Sequence, residues 1–183
     1  FHCVHFSEND IEIFKKRGLY AVTCPGSNAK LASGIAPLTE LLRAGVPLAL
    51  GTDGASSNNA LDMFREMFLV TALQKYREMD AAAFPAFDVL KMACSGGALA
   101  MGLTDCDVLA AGKQADLAVI DLMQPNMQPV HNIAKNLVYA GTKQNVVMTM
   151  IAGKILYENG KFTTVDADEV YSRAEKLTRE ICG

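Results

Sequence analysis

No two cysteines stand in a C-x-x-C spacing, no apolar run reaches membrane length, and basic residues do not outnumber acidic ones. Each absence removes a class of function. Cys3, Cys24, Cys94, Cys106 and Cys182 are odd in number and scattered, which fits reduced thiols of a cytoplasmic protein better than a disulfide framework or a cysteine-based zinc site. A membrane-spanning helix needs roughly 20 apolar residues, and no such run occurs. With 17 Lys and Arg against 20 Asp and Glu, the formal net charge is −3. Nucleic-acid binding would call for a clustered basic surface instead. The first residues, "FHCVHF", carry neither an initiator Met nor a basic and then apolar leader. They alternate like a strand in progress, so the chain reads as the middle of a longer protein. There is no internal repeat and no low-complexity segment.

What is present is an alternation of short apolar runs and amphipathic segments. Phe1–Val4 reads as a strand end. Ser7-x-x-Asp10 resembles a capping box, with Asp in place of Glu, for a helix that uses Ile11 and Phe14 and stops at Gly18. Leu19–Thr23 reads as a strand, "CPGSNAKLASGIAP" (24–37) as a long loop, and Pro37 as the opening of a helix ending at Gly45. Val46–Leu50 is the next strand. A loop at 54–59 follows, then a helix over Leu61–Glu78 with Leu61, Phe64, Phe68 and Ala72 at helical spacing. Strands that are continuous apolar runs, each followed by a helix, indicate a parallel sheet covered on both faces.

The texture changes after Phe84. Two short helices (Phe87–Cys94 and Gly96–Met101) precede a strand at Leu117–Leu122 and a helix at Asn132–Tyr139. Val146–Ile151 and Lys154–Tyr157 flank Ala152-Gly153, and Asn159-Gly160 marks a second tight turn, so this part is antiparallel. A charged amphipathic helix, Asp166–Ile181, ends the chain. The expected division is therefore 1–105, 106–165 with a helix inserted near 132–139, and 166–183.

Chemistry concentrates at two strand ends. His2 offers a neutral nitrogen donor or a base near neutral pH. Asp53, in "LALGTDGASSNN", places a carboxylate at the end of a buried strand and follows it with residues too small to hide it. An ionised Asp there needs a cap, a partner or a metal. Together the two residues can hold or assist a metal-bound water. Ser57 and Asn58, with Asp53, are the candidate substrate contacts; bracing of the loop is the alternative for Ser57 and Asn58, as for Ser56. Ser27 and Asn28 are read as bracing residues. His5 and His131 are read as structural, and Cys24 as an unactivated thiol.

The segments "HCVHFSENDIEIF", "CPGSNAKLASGIAPLTELLRAGVPLALGTDGASSNNALDMFREM", "AGKQADLAVIDL" and "NVVMTMIAGKILYENGK", in that order, resemble the C-terminal part of a metal-dependent amidohydrolase. The likeness is strongest to the methylthioadenosine/S-adenosylhomocysteine deaminase group, which includes the triazine-hydrolase-like enzymes, and covers about residues 1–165. It implies an α/β fold: strands 6 to 8 of a (β/α)8 TIM-type barrel, then part of a small β-sandwich and a C-terminal helix. His2 then matches the sixth-strand histidine, which orients the attacking hydroxide. Asp53 matches the eighth-strand aspartate, which ligates the metal and takes the water's proton. The implied cofactor is a divalent metal, Zn2+ first, with Fe2+ or Mn2+ as alternatives.

The implied reaction is hydrolytic deamination of an adenine-type nucleoside by metal-bound hydroxide. Within the enzyme class the alternatives are guanine, pyrimidine or triazine amino- or chlorohydrolases. A non-catalytic scaffold fragment is the reading from another class. The family's remaining ligands lie upstream of Phe1, so the chain alone is expected to be inactive. It is expected to form a homo-oligomer or to associate with a separate N-terminal half.

Overall fold

The computed structural model describes all residues, 1–183, as a mixed α/β chain. Helix α1 (Glu8–Arg17) begins with the capping box expected from the sequence. The Ser7 hydroxyl accepts from the Asp10 amide while the Asp10 carboxylate accepts from the Ser7 amide, and Gly18 closes the helix at a φ of 62°. Strand β1 (Ala21–Thr23) leads into α2 (Pro25–Lys30), then α3 (Leu38–Arg43) and β2 (Leu48–Leu50). The two strands pair in parallel, Val22 opposite Ala49, as buried apolar runs should. Helix α4 (Ala55–Asn58) follows β2, and α5 (Met63–Glu78) follows it with Asp62 as its N-cap.

Several local expectations change. Phe1–Val4 is not a strand: His2 and Cys3 have φ of 66° and 58°, and the Cys3 amide donates to the Phe1 carbonyl. Two successive left-handed residues cannot continue a pleated strand. The parallel sheet therefore has two strands instead of the expected three. The segments 24–37 and 54–59 are not plain loops, since each holds a short helix directly after a strand.

Helix α5 also buries another face from the one its apolar spacing suggested. Glu66, Met67, Val70, Thr71 and Gln74 are buried, whereas Leu61 and Phe68 are exposed. The reason is polar. Gln74 accepts from the Thr39 amide and donates to the Ala36 carbonyl, so this face ties down loops as well as filling the core.

The second half begins with α6 (Ala86–Lys91) and α7 (Gly97–Ala100), joined by a π-helical turn, Met92–Gly96, where a break between two helices was expected. That turn lies against β2. A Cβ on Gly96 would stand 2.4 Å from the Leu48 carbonyl oxygen, so only glycine allows the approach. Strand β3 (Leu117–Ile120), helix α8 (Ile133–Tyr139), and strands β4 (Val146–Ile151), β5 (Lys154–Glu158) and β6 (Lys161–Phe162) follow. The four strands form an antiparallel sheet in the order β3-β4-β5-β6. Both expected hairpin turns are present, with positive φ at Ala152-Gly153 and Asn159-Gly160.

The main core draws on residues from Cys3 to Met92, with Leu38, Leu41, Val70 and Val89 among them, and takes Val138 from α8. Thus α8 packs on the first half although it lies between strands of the second. Helix α9 (Ala167–Cys182) buries none of its residues. No helix is long and apolar enough to cross a membrane.

Candidate active site

β1 and β2 run in parallel, so both deliver their C-terminal loops to the same end of the sheet. Cys24 to Lys30 leave β1 and Gly51 to Asn58 leave β2. Chemistry in parallel barrels is confined to that end of the strands. Asp53 has a φ of 62°, a conformation that Asp adopts more readily than most residues. Its Oδ2 accepts from Ser27 Oγ at 2.7 Å and from Ser57 Oγ at 2.8 Å, and its Oδ1 accepts from the Gly54 amide at 2.7 Å. The Ser27, Ser57 and Gly54 donors bring its carboxyl down to about 2. Asp53 is thus an anion throughout the physiological range.

His2 Nε2 lies 3.8 Å from Asp53 Oδ2. Its ring is set by Asn28: His2 Nδ1 donates to Asn28 Oδ1 at 2.9 Å, while Asn28 Nδ2 donates to the His2 carbonyl at 3.2 Å. The bond from Nδ1 to Asn28 sets the ring plane so that Nε2 faces the Asp53 carboxylate. The double tie to Asn28 accompanies the turn at His2 and Cys3, which the Cys3 amide closes onto the Phe1 carbonyl. Both site residues occupy left-handed backbone, as residues held by a surrounding constellation often do.

A cleft of about 500 Å3 opens here, lined by His2, Cys3, Phe6, Ser27, Asn28 and Asp53 among others. That volume lies within the usual range of small-molecule sites. Ser57 and Asn58 are absent from the lining. Ser57 braces Asp53, and Asn58 is buried with Nδ2 bound to the Thr52 carbonyl and to Glu66. His5 borders the cleft on its exposed side, and His131 lies outside its lining. Cys24 is buried beneath the site, where burial first and the Asp53 charge second push its thiol up to about 11. It is inert as a nucleophile.

Glu66 was not singled out from the sequence. It sits in the first turn of α5, fully buried, with Oε2 accepting from the Gly26 amide at 2.7 Å and Oε1 from Asn58 Nδ2 at 2.8 Å. Burial raises its carboxyl above the ordinary range against those two hydrogen bonds. The available signal was an acidic residue one turn into a helix, which reads equally well as a solvated one.

The Amidohydrolase family model matches residues 1–156. This chain belongs to the amidohydrolase family. A 5-methylthioadenosine/S-adenosylhomocysteine deaminase of Pelotomaculum thermopropionicum is 45% identical over 175 residues, which are 96% of this chain and 40% of that protein. The crystal structure of an adenosine deaminase from Xanthomonas campestris with bound zinc matches with a TM-score of 0.95 at 39% identity, covering 98% of this chain and 41% of its own. Atrazine chlorohydrolase from Arthrobacter aurescens, in complex with zinc, gives a TM-score of 0.88 at 26% identity over 96% of this chain and 39% of its own. The chain spans about two fifths of the length of the curated relatives it matches.

The donor set falls short of what a zinc ion needs. His2 and Asp53 are two groups, and no three His, Cys, Asp or Glu side chains of this amidohydrolase chain converge. A protein zinc site commonly takes at least three protein ligands. The 183 residues therefore do not by themselves satisfy the metal.

Proposed function

We propose that this chain supplies the His2–Asp53 side of an aminohydrolase site that deaminates an adenine-type nucleoside. The observation that supports it most strongly is the 3.8 Å approach of His2 Nε2 to an ionised Asp53 at a cleft, in a chain 45% identical to a methylthioadenosine/S-adenosylhomocysteine deaminase. Hydrolytic deamination forms a C–O bond from water to the amino-bearing ring carbon and breaks the C–N bond, releasing ammonia. Asp53 accepts the proton that the water loses. His2, steadied by Asn28, orients the attacking oxygen through Nε2 and stabilises the charge that develops on it. Ser27 and Ser57 hold the carboxylate in place. Substrate contact is assigned to Asp53, and the buried Asn58 acts through the loop.

Zinc, or Fe2+ or Mn2+ in its place, belongs to this proposal as a group held jointly with donors outside these 183 residues. In architecture, residues 1–105 correspond to the last part of a (β/α)8 barrel, β1 and β2 being its seventh and eighth strands and Phe1–Val4 the approach to its sixth. The β3–β6 sheet corresponds to part of a small β-sandwich within 106–165, and 166–183 is the terminal helix. Association with a second copy or with a complementary N-terminal portion follows from the two unpaired edges of the β1–β2 sheet. A cytoplasmic location agrees with the five free cysteines.

The test is a chimera in which this chain replaces the matching two fifths of the Pelotomaculum enzyme. With zinc supplied, it should release ammonia from 5′-methylthioadenosine or S-adenosylhomocysteine and leave guanine, a pyrimidine and a chlorotriazine untouched. Turnover of one of the latter in preference would replace the substrate assignment. A folded chimera that turns over none would favour a scaffold role.

A further inference from the structure

Glu66 is an expensive residue to place where it is. Burying a carboxylate costs several kcal/mol unless hydrogen bonds offset it, and an apolar side chain of similar size is often at least as stable. Its neighbours in α5, Met67 and Val70, show that the position lies in ordinary core. The carboxylate can accept about four hydrogen bonds, yet it has two partners, Gly26 and Asn58. Those two partners stand on the two loops that build the site.

On one side, Gly26 directly precedes Ser27 and Asn28, which hold Asp53 and His2. On the other, Asn58 Nδ2 continues to the Thr52 carbonyl at 2.6 Å, and Thr52 directly precedes Asp53. The fit is close. A Cβ at Gly26 would stand 2.3 Å from Glu66 Oε1 and 3.0 Å from Asn58 Nδ2. Asn58 Oδ1 is left buried without a partner, so the amide is oriented for the clamp at the expense of its own acceptor.

We propose that Glu66 is a positioning residue: its buried carboxylate clamps the β1 and β2 loops in register so that Ser27 meets Asp53 and Asn28 meets His2. This rests on the reading of His2 and Asp53 as the reacting pair. Glu66 itself makes no hydrogen bond or ion pair to either residue and acts through Gly26 and Asn58. A glutamine in its place keeps the shape but presents a donor to one of two donors, so one arm of the clamp opens.

The experiment compares the 183-residue chain with Glu66→Gln and with Gly26→Ala by amide NMR and hydrogen exchange. In Gly26→Ala the clamp predicts exchange of the residue-26 amide about tenfold faster, the effect of losing one buried hydrogen bond, and in Glu66→Gln the same loss at either the residue-26 amide or the Asn58 side chain. It also predicts displaced signals for the Gly54 amide and the Asn28 side chain, with those of Val119 and Thr149 in the antiparallel sheet unmoved. If Glu66→Gln does not fold, Asn58→Ala, which removes the bonds to Glu66 and Thr52 and leaves the one between Glu66 and Gly26, should move Gly54 in the same way. A folded variant with Gly54 and Asn28 unmoved overturns the clamp, as does an equal change in both sheets, which would mean general loosening. In an active chimera, Glu66→Gln should lower kcat, and an unchanged kcat also overturns it. The NMR readout needs no turnover, so an inactive chimera with the clamp signals intact would fault the deaminase reading alone.

Discussion

At the residue scale, His2 and Asp53 stand 3.8 Å apart at the cleft, His2 held by Asn28 and Asp53 by Ser27, Ser57 and the Gly54 amide. Of Ser57 and Asn58, for which substrate contact and loop bracing are both open from the sequence, Ser57 bonds to Asp53 and Asn58 to Thr52 and Glu66. A strand-end carboxylate followed by small residues is a sequence-visible anomaly, which is why Asp53 was legible. Glu66 was not, because its burial is decided by packing between α5 and loops 40 residues earlier and 8 earlier in the chain.

Asp53 also makes a prediction about acid. Its folded value of about 2 lies below the ordinary 3.8 of a free aspartate, so the unfolded chain binds the proton more readily. The stability it contributes is present above 3.8 and is lost as pH falls toward 2. Urea midpoints of the wild type and Asp53→Asn should therefore differ at neutral pH and converge as pH falls through that window. A constant gap would contradict the hydrogen-bonded anion.

At the element scale, caps and turns were read correctly because their signals are local. Ser7 and Asp10 form a reciprocal pair within one turn, and Ala152-Gly153 and Asn159-Gly160 reverse the chain with their own backbone. Ser7→Ala should accordingly cost about 1 kcal/mol, measurable by urea denaturation. A loss indistinguishable from zero would mean that α1 is held by Ile11 and Phe14 packing alone. Apolar periodicity counts Phe68 and Leu61 inward, whereas Glu66 and Gln74 win the buried face of α5 through hydrogen bonds to Gly26 and Ala36. The same limit hides the π-turn, which ends at Gly96 packed against the Leu48 carbonyl. Gly96→Ala should destabilise by about 1–3 kcal/mol, the usual cost of overpacking, since the added methyl meets backbone that cannot swing aside. An unchanged urea midpoint would show that the turn relaxes freely.

At the scale of the whole molecule, the parallel and antiparallel halves were legible from strand texture, and the family from ordered motifs across the chain. The loss of the expected first strand was not, because a strand needs a neighbour as well as a pattern, and His2 is tied to Asn28 instead. The two-stranded sheet leaves both edges unpaired, and Phe1 is 90% exposed beside the cleft. Sedimentation of the purified chain should show species larger than the monomer, and a monomer at all concentrations would contradict self-association through these edges.

The most direct measurement is the turnover of 5′-methylthioadenosine by the chimera with and without Asp53→Asn. The amide keeps the size of the side chain and removes its charge and its capacity to take a proton. The account predicts a fall in kcat of at least about 10²-fold with the fold retained; near-normal turnover by the Asn variant would contradict it.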